Sequence, residues 1–308
     1  MSYSGEFIPS LRLIDLIGNT PIVKLGKLSP ANVNVFVKLE YMNPTGSHKD
    51  RIALYMIKDA VERYGLKAGD VVVEASSGNT AISVAFVSKF YGLRPVIVVE
   101  EETSPEKVSM LKLLGAEVVY GSSDPSSPRY YVRVAEALAK EYGGVFLNQY
   151  ENQANVRAHY ETTAREIWQA LGGRISAFVM GVGTGGTITG VGRFLKERLP
   201  EVRVIAVTPR GSKLVGGSGD EYIDGLASKN VYRNFDRSVV DAVIEVTRSE
   251  AIDVAKRLVK EEGIMAGVSA GANVYASLLI ASSLPAGSNV VTIAPDSAFR
   301  YLSILLRS

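Results

Sequence analysis

Lys49 stands in a setting that is odd for a surface charge. Asn43-Pro44-Thr45-Gly46-Ser47-His48 runs directly ahead of it and Asp50-Arg51 directly after, so turn formers and a helix cap, Ser47, place it at the mouth of a helix. A lysine amine that has lost its proton attacks carbonyl carbon or takes a proton from carbon. A lysine behind a helix cap is equally at home as a solvated side chain, so the other chemistry-bearing stretches must decide.

Two such stretches suit anions. Gly181-Val182-Gly183-Thr184-Gly185-Gly186-Thr187 lies between a strand pattern and a helix pattern. Glycine backbone there lets amide hydrogens converge at the positive end of a helix. The stretch also satisfies Gly-x-Gly-x-x-Gly, but a dinucleotide site needs an acidic residue closing the next strand, which ends instead at Thr208-Pro209. No Gly-x-x-x-x-Gly-Lys-[Ser/Thr] occurs, which argues against a nucleoside triphosphate. The remaining readings are a cup for one phosphate, with Thr184 and Thr187 adding hydroxyls, or a tight turn that serves packing. Ser76-Ser77-Gly78-Asn79-Thr80 is a second strand-to-helix turn. It reads either as a well-capped helix or as a grip on a carboxylate or a ring hydroxyl. His48 and His159 are the only histidines and there is no cysteine, so a metal site or a serine triad has little support. His159, inside a helical pattern, reads as structural.

The elements that would position these residues alternate. A helix is predicted over about His48–Gly65, with Ile52, Ala53, Met56, Ile57 and Ala60 on its apolar face and Asp50 at its positive end. Val71–Val73 predicts a buried strand, followed by a helix from about Ala81. Strand Pro95–Glu100, helix Pro105–Leu114, strand Glu117–Tyr120, a helix to Tyr142 and strand Val145–Leu147 follow. Further on come helix Ala154–Leu171, strand Ala177–Met180, a helix to Leu199 and strand Val202–Val207. A long loop, Thr208–Phe235, leads to strand Val239–Val246, helices Ser249–Glu262 and Ser269–Ser282, strand Val290–Ile293 and a short last helix. Such alternation predicts an α/β fold of two interleaved doubly wound units with mostly parallel sheets and a cleft between them.

Composition bounds the rest. At 46% hydrophobic and 21% charged residues the chain reads as an ordinary globular enzyme, and a net charge of +2 gives no reason to expect nucleic acid or an anionic membrane as partner. Met1–Leu13 lacks a basic stretch followed by an apolar core, and no apolar run approaches a bilayer span of about 20 residues. A cytoplasmic protein is the expectation.

Taken together, Asn-Pro-x-Gly-Ser-x-Lys-Asp-Arg, Ser-Gly-Asn-Thr, Gly-Thr-Gly-Gly-Thr, Glu262-Gly263-Ile264-Met265-Ala266-Gly267-Val268-Ser269-Ala270-Gly271 and Pro295-Asp296-Ser297 with Arg300-Tyr301-Leu302-Ser303 occur in that order. The chain resembles the cysteine synthases of the pyridoxal-phosphate β-family, which includes cystathionine β-synthase. The resemblance covers nearly the whole chain. It implies the tryptophan synthase β-like architecture, fold type II. The smaller, mobile, substrate-binding domain would span 44–153, and residues 1–43 and 154–308 would form the larger domain that holds the cofactor phosphate. It implies a Schiff base between pyridoxal 5'-phosphate and Lys49, with Asn79 on the ring hydroxyl, Gly183, Thr184, Gly185, Gly186 and Thr187 on the phosphate, and Ser269 at the pyridine nitrogen. Ser76, Ser77, Thr80 and Gln149 would clasp the substrate carboxylate.

Further implied are a homodimer, no metal, and β-replacement that makes L-cysteine from an O-activated serine and sulfide through aminoacrylate. O-acetylserine ranks first and O-phosphoserine close behind. Condensation of serine with homocysteine, as in cystathionine β-synthases, is the alternative, and a non-catalytic cofactor-binding or partner protein is a reading of another class. Arg210 and Lys213, in the loop that screens the β-substituent in this family, are candidates to pair with a phosphate leaving group or are solvated loop charges. His48 departs from the apolar residue common at its position and resembles the lysine site of the tryptophan synthase β chain. Ala81 and Ala298 stand where the family often has glycine, and Gln153 where it has proline.

Overall fold

Runs of β-branched residues build the centres of two sheets. The computed structural model describes residues 12–306; residues 1–11 and 307–308 lie outside it, and with them most of Met1–Leu13, read above for a leader. The strands are β1 (Ile22–Lys24), β2 (Asn34–Leu39), β3 (Val71–Ala75), β4 (Arg94–Glu100), β5 (Glu117–Gly121), β6 (Val145–Phe146), β7 (Ala177–Gly181), β8 (Arg203–Pro209), β9 (Ala242–Val246) and β10 (Asn289–Ala294). They form a six-stranded sheet, β1-β2-β10-β7-β8-β9, and a four-stranded sheet, β5-β4-β3-β6. Every pairing is parallel except the β1–β2 edge. The α/β architecture with mostly parallel sheets is the one expected.

The helices are α1 (Lys49–Tyr64), α2 (Asn79–Phe90), α3 (Pro105–Leu113), α4 (Tyr131–Glu141), α5 (Gln153–Ala158), α6 (Ala164–Leu171), α7 (Gly186–Arg198), α8 (Arg248–Glu262), α9 (Val268–Ala281) and α10 (Leu302–Leu305). Alternate strand residues feed opposite faces. In β7, Ala177 and Val179 join the core under α8 and α9, whereas Phe178 and Met180 join the one under α6 and α7. In the smaller sheet Val72 packs towards α1 and α2, and Val71 and Val73 towards α4. Each Val, Leu or Ile so buried is worth about 1.5–3 kcal/mol, which outweighs local propensity in fixing the strands. Among the described residues no helix is long and apolar enough to cross a membrane.

Three predicted elements differ from those observed. The helix expected over Ala154–Leu171 is broken by a π turn, His159–Thr163, between α5 and α6. There α7 comes so close that a side chain at Gly190 would run into the Val156 carbonyl and the His159 side chain, and periodicity does not report so local a crossing. α2 begins at Asn79, two residues early, which puts Asn79 and Thr80 in its first turn. The strand expected from Val239 starts at Ala242, after a 3-10 turn at Arg237–Val239.

Candidate active site

The turn ahead of Lys49 is knotted by its own side chains. Gly46, at φ 81°, donates its N–H to the Asn43 carbonyl at 2.8 Å. The Asn43 amide accepts from the Gly18 N–H at 2.8 Å and donates to Glu40. Asp50, expected at the helix end as a dipole charge, is fully buried; it accepts from the Thr45 N–H, the Thr45 hydroxyl and the Ser83 hydroxyl. His48, with no side-chain cap, occupies the helix cap position expected for Ser47, whose hydroxyl instead accepts from the Lys49 N–H at 3.2 Å. One turn on, the Arg51 guanidinium forks onto Glu40 at 2.7 and 2.8 Å and onto Glu166 at 2.6 and 2.7 Å. Lys38 closes this buried cluster at 2.5 Å from Glu166. Burial alone would raise the Glu40 carboxyl, but Arg51 and Lys38 bring it down to about 2. The first turn of α1 is thereby pinned to β2 and α6, so the lysine sits on a rigid base. Sequence reasoning missed this cluster because Glu40, Arg51 and Glu166 have no regular spacing.

A circuit of contacts joins the chemistry-bearing turns. Next to Lys49, Ser47 pairs with Asp296 in an isolated bridge, and the Asp296 charge favours the charged form of the amine. Asn79 donates to Asp296 at 2.7 Å, and Tyr301 donates to the same oxygen at 2.6 Å. Next to Asn79, the Thr80 hydroxyl donates to the Gln149 side chain at 2.6 Å, and the Gln149 amide donates to the Ala75 carbonyl. Asn155 then bridges, donating to the Gln149 carbonyl at 2.8 Å and to the Thr184 hydroxyl at 3.0 Å. Thr187 lies 3.1 Å from Nε2 of His159, whose ring meets that of His48 edge-on at 5.7 Å, and Nε2 of His48 returns to the Lys49 amine. Gly225 links the second arm: a side chain at Gly183 would strike its carbonyl, and a Cβ placed on Gly225 itself would lie 3.6 Å from the Ser269 hydroxyl at the start of α9. One continuous run of contacts therefore connects Lys49, Asn79, Thr80, Gln149, Gly183–Thr187 and Ser269. Ser76 is buried beside them and bonds the Gly78 N–H, and the Ser77 hydroxyl accepts from the Glu100 N–H at 2.7 Å.

The cleft fits the expected cofactor in two ways. Gly183, Gly185 and Gly186 leave a bare backbone cradle at the start of the 13-residue α7, and a side chain at any of them would strike Gly225, Phe235 or Asn155. Such a cradle suits a phosphate. Burial brings the Lys49 ammonium down to about 8, with Asp296 opposing, so a useful fraction is free amine near neutral pH. Among the described residues no cluster of side chains suits a metal ion.

Arg210 and Lys213 do not join the circuit. Both are exposed, and the Arg210 guanidinium is 3.9 Å from Glu250 at the start of α8. The loop reaches the cleft through other residues: Gly225, then Asn234, which donates to the Gln149 carbonyl and accepts from Gln153, and Tyr232, stacked on Tyr150 at 4.4 Å. Asn155, His159 and Asp296 also belong to the site. Asp296 carried a sequence signal in Pro295-Asp296-Ser297, and Asn155 in Asn148-Gln149-Tyr150-Glu151-Asn152-Gln153-Ala154-Asn155, which resembles the family's Gln-Phe-x-Asn-Pro-Ala-Asn; His159, read as structural, opens the π turn.

Comparisons with known proteins bear on the family and the fold. The family model described as pyridoxal-phosphate dependent enzyme matches residues 13–296. A cysteine synthase of Staphylococcus aureus is 40% identical over 304 residues, which cover 97% of this chain and 98% of that protein. An O-ureido-L-serine synthase of Streptomyces lavendulae is 40% identical, covering 96% and 91%. The crystal structure of an O-acetyl serine sulfhydrylase isoform from Entamoeba histolytica superposes with a TM-score of 0.93 at 32% identity, covering 100% of this chain and 95% of that one.

Proposed function

This chain belongs to the cysteine synthase family of pyridoxal-phosphate-dependent enzymes, and from that premise we propose that it makes L-cysteine by β-replacement on an O-activated serine, with sulfide as nucleophile. The observation that carries the reading is the circuit itself. A half-buried lysine, a backbone anion cradle and a turn of hydroxyl and amide donors are joined by one run of contacts.

When bound, the cofactor supplies an aldehyde for Lys49 and a sink for the electron pair left on Cα. Gly183–Thr187 would hold its phosphate, and Asn79, steadied by Asp296, its ring hydroxyl. Ser269 would meet the pyridine nitrogen. A hydroxyl there cannot hold a proton on the nitrogen as a carboxylate would, so the sink is weak and prompt loss of the β-substituent is favoured over racemisation. Ser76, Ser77, Thr80 and Gln149 would receive the substrate carboxylate. With its amine free, Lys49 would take the Cα proton at its Nζ, for which an ammonium weakened by burial is suited.

We place 44–153 in a smaller, mobile unit and 1–43 with 154–308 in the larger. Support comes from the strands, because the four-stranded sheet draws only on residues 71–146. The reading includes a cytoplasmic homodimer acting on small molecules. For the leaving group, Arg210 beside Glu250 and the exposed Lys213 favour the uncharged acetyl over the phosphate ester. Relatives of equal identity bear the names of different products, so family alone leaves the substrate open. Steady-state rates with O-acetylserine, O-phosphoserine and serine, each with sulfide, decide it. O-acetylserine should give the highest kcat/KM; turnover with none of the three would overturn the proposal.

A further inference from the structure

His48 is a buried imidazole wedged between the reacting lysine and a second buried imidazole. Its backbone N–H is tied to the Pro295 carbonyl at 2.9 Å, its ring meets His159 edge-on, and its Nε2 contacts the Lys49 amine. Its Nδ1 is buried without a partner. His159 is held in turn by Thr163 at 2.9 Å and by Thr187 at 3.1 Å, so the pair cannot drift apart without opening the phosphate cradle. No residue of this kind is needed to cap α1, since His48 makes no side-chain cap.

We propose that His48 is a positioning residue for Lys49: its Nε2 receives an N–H of the Lys49 ammonium and aims Nζ at the substrate Cα during the part of the cycle when Lys49 is not bonded to the cofactor. This rests on the reading of Lys49 as the cofactor lysine. The proton bookkeeping closes on two atoms. The Cα–H bond breaks, its pair forms the Cα–Cβ double bond as the Cβ–O bond breaks and the β-substituent leaves with that bond's pair, and the proton becomes the third N–H of Lys49. After sulfide has added at Cβ, that proton returns to Cα.

His48 must stay neutral to accept, and its surroundings ensure that. Burial first, then the charges of Lys49, His159 and Arg51, hold its protonation far below the usual imidazole range. With Nε2 accepting, the ring proton resides on Nδ1. The groups facing the pair are Asp296 on the lysine side and His159 and Arg51 on the histidine side. Since Lys49 remains the stronger base, the proton waits on the atom that must give it back.

His48→Met fills the space without an acceptor, and His48→Gln restores one. Two readouts on the full-length chain test the idea. The first is the pH dependence of colour formation when pyridoxal phosphate is added to cofactor-free protein, which reports the free amine of Lys49. The second is the exchange of the substrate Cα hydrogen for deuterium in the loaded enzyme. A hydrogen bond to the ammonium favours the charged form, so losing it should move the half-rise in colour formation down by roughly one pH unit and slow exchange about tenfold. His48→Gln should stay within about threefold of the parent in exchange. A His48→Met protein matching the parent in both readouts, or a His48→Gln protein falling as far as His48→Met, would overturn the role. Borohydride trapping with peptide mapping is independent of both variants. If it fails to place the cofactor on Lys49 of the parent protein, the underlying reading falls instead.

Discussion

The two strand-to-helix turns of the proposed site offer an anion opposite kinds of group. At Gly183–Thr187 the anion-facing groups are main chain, bared by glycines whose side chains would strike Asn155, Phe235 and Gly225. At Ser76–Thr80 the groups are side chains, and they already have partners: Ser77 accepts from Glu100, Asn79 donates to Asp296 and Thr80 donates to Gln149. Main-chain amides fixed by packing cannot be re-aimed, which suits a group that stays bound. Hydroxyls and amides exchange partners at little cost, which suits a carboxylate that arrives and leaves in every cycle. On the proposed reading, the same topological position, the C-terminal end of a parallel strand, would serve a permanent and a transient ligand through choice of residue alone.

The largest break in that contrast is Gly186→Val. A branched side chain there meets the Asn155 amide, which also holds Thr184, so the cradle and its bridge are displaced together. Pyridoxal phosphate affinity, read by absorbance titration, should fall more than about 100-fold, the scale of a lost anion site with overpacking. A smaller effect is expected at the other turn. Thr80→Val removes the donor to Gln149 but leaves the backbone in place. KM for the amino acid should rise about tenfold, the worth of one hydrogen bond to a charged group, while cofactor affinity stays within about twofold. If Thr80→Val weakened the cofactor as much as the substrate, the division of labour would be wrong.

How legible these turns are in sequence follows the same contrast. Gly-rich backbone between strand and helix is a local pattern, and the core positions of α1 (Ile52, Ala53, Met56, Ile57 and Ala60) were likewise readable from spacing and are buried. The partners that fix the side-chain turn are distant in the chain: Asn79 with Asp296 and Thr80 with Gln149. Periodicity carries no information about such pairs. The π turn at His159–Thr163 was hidden for a related reason, since it answers to the close approach of α7 at Gly190 and not to its own residues. Arg210 and Lys213 show the converse: charge in a long loop is conspicuous in sequence, yet both side chains are exposed, while Gly225 and Asn234 reach the cleft.

Glu74 supplies the finest test of the side-chain turn. It is the penultimate residue of β3, two before Ser76, is fully buried, and accepts from the Ala75 N–H at 3.1 Å while its other oxygen has no partner. Burial pushes its carboxyl up to about 8, against the pull of Gln149 and Ala75. A raised carboxyl binds a proton in the folded state that the unfolded chain releases above about 4.5. Its contribution therefore costs stability progressively as pH climbs from 4.5 to 8. Below about 8 the residue is neutral and the turn can receive a carboxylate; above it an anion stands behind that turn. Near an effective dielectric of about 20 such an anion costs of the order of 1 kcal/mol, so KM for the amino acid should rise about fivefold between pH 7 and pH 9. Cofactor affinity should not weaken over the same range, because the Lys49 ammonium, brought down to about 8, frees its amine for the aldehyde as the pH rises. Glu74→Gln should flatten the KM profile and raise the melting temperature at pH 8. A KM profile that kept its rise in Glu74→Gln would transfer the effect to Lys49 or Asp296 and leave the side-chain turn without a titrating partner.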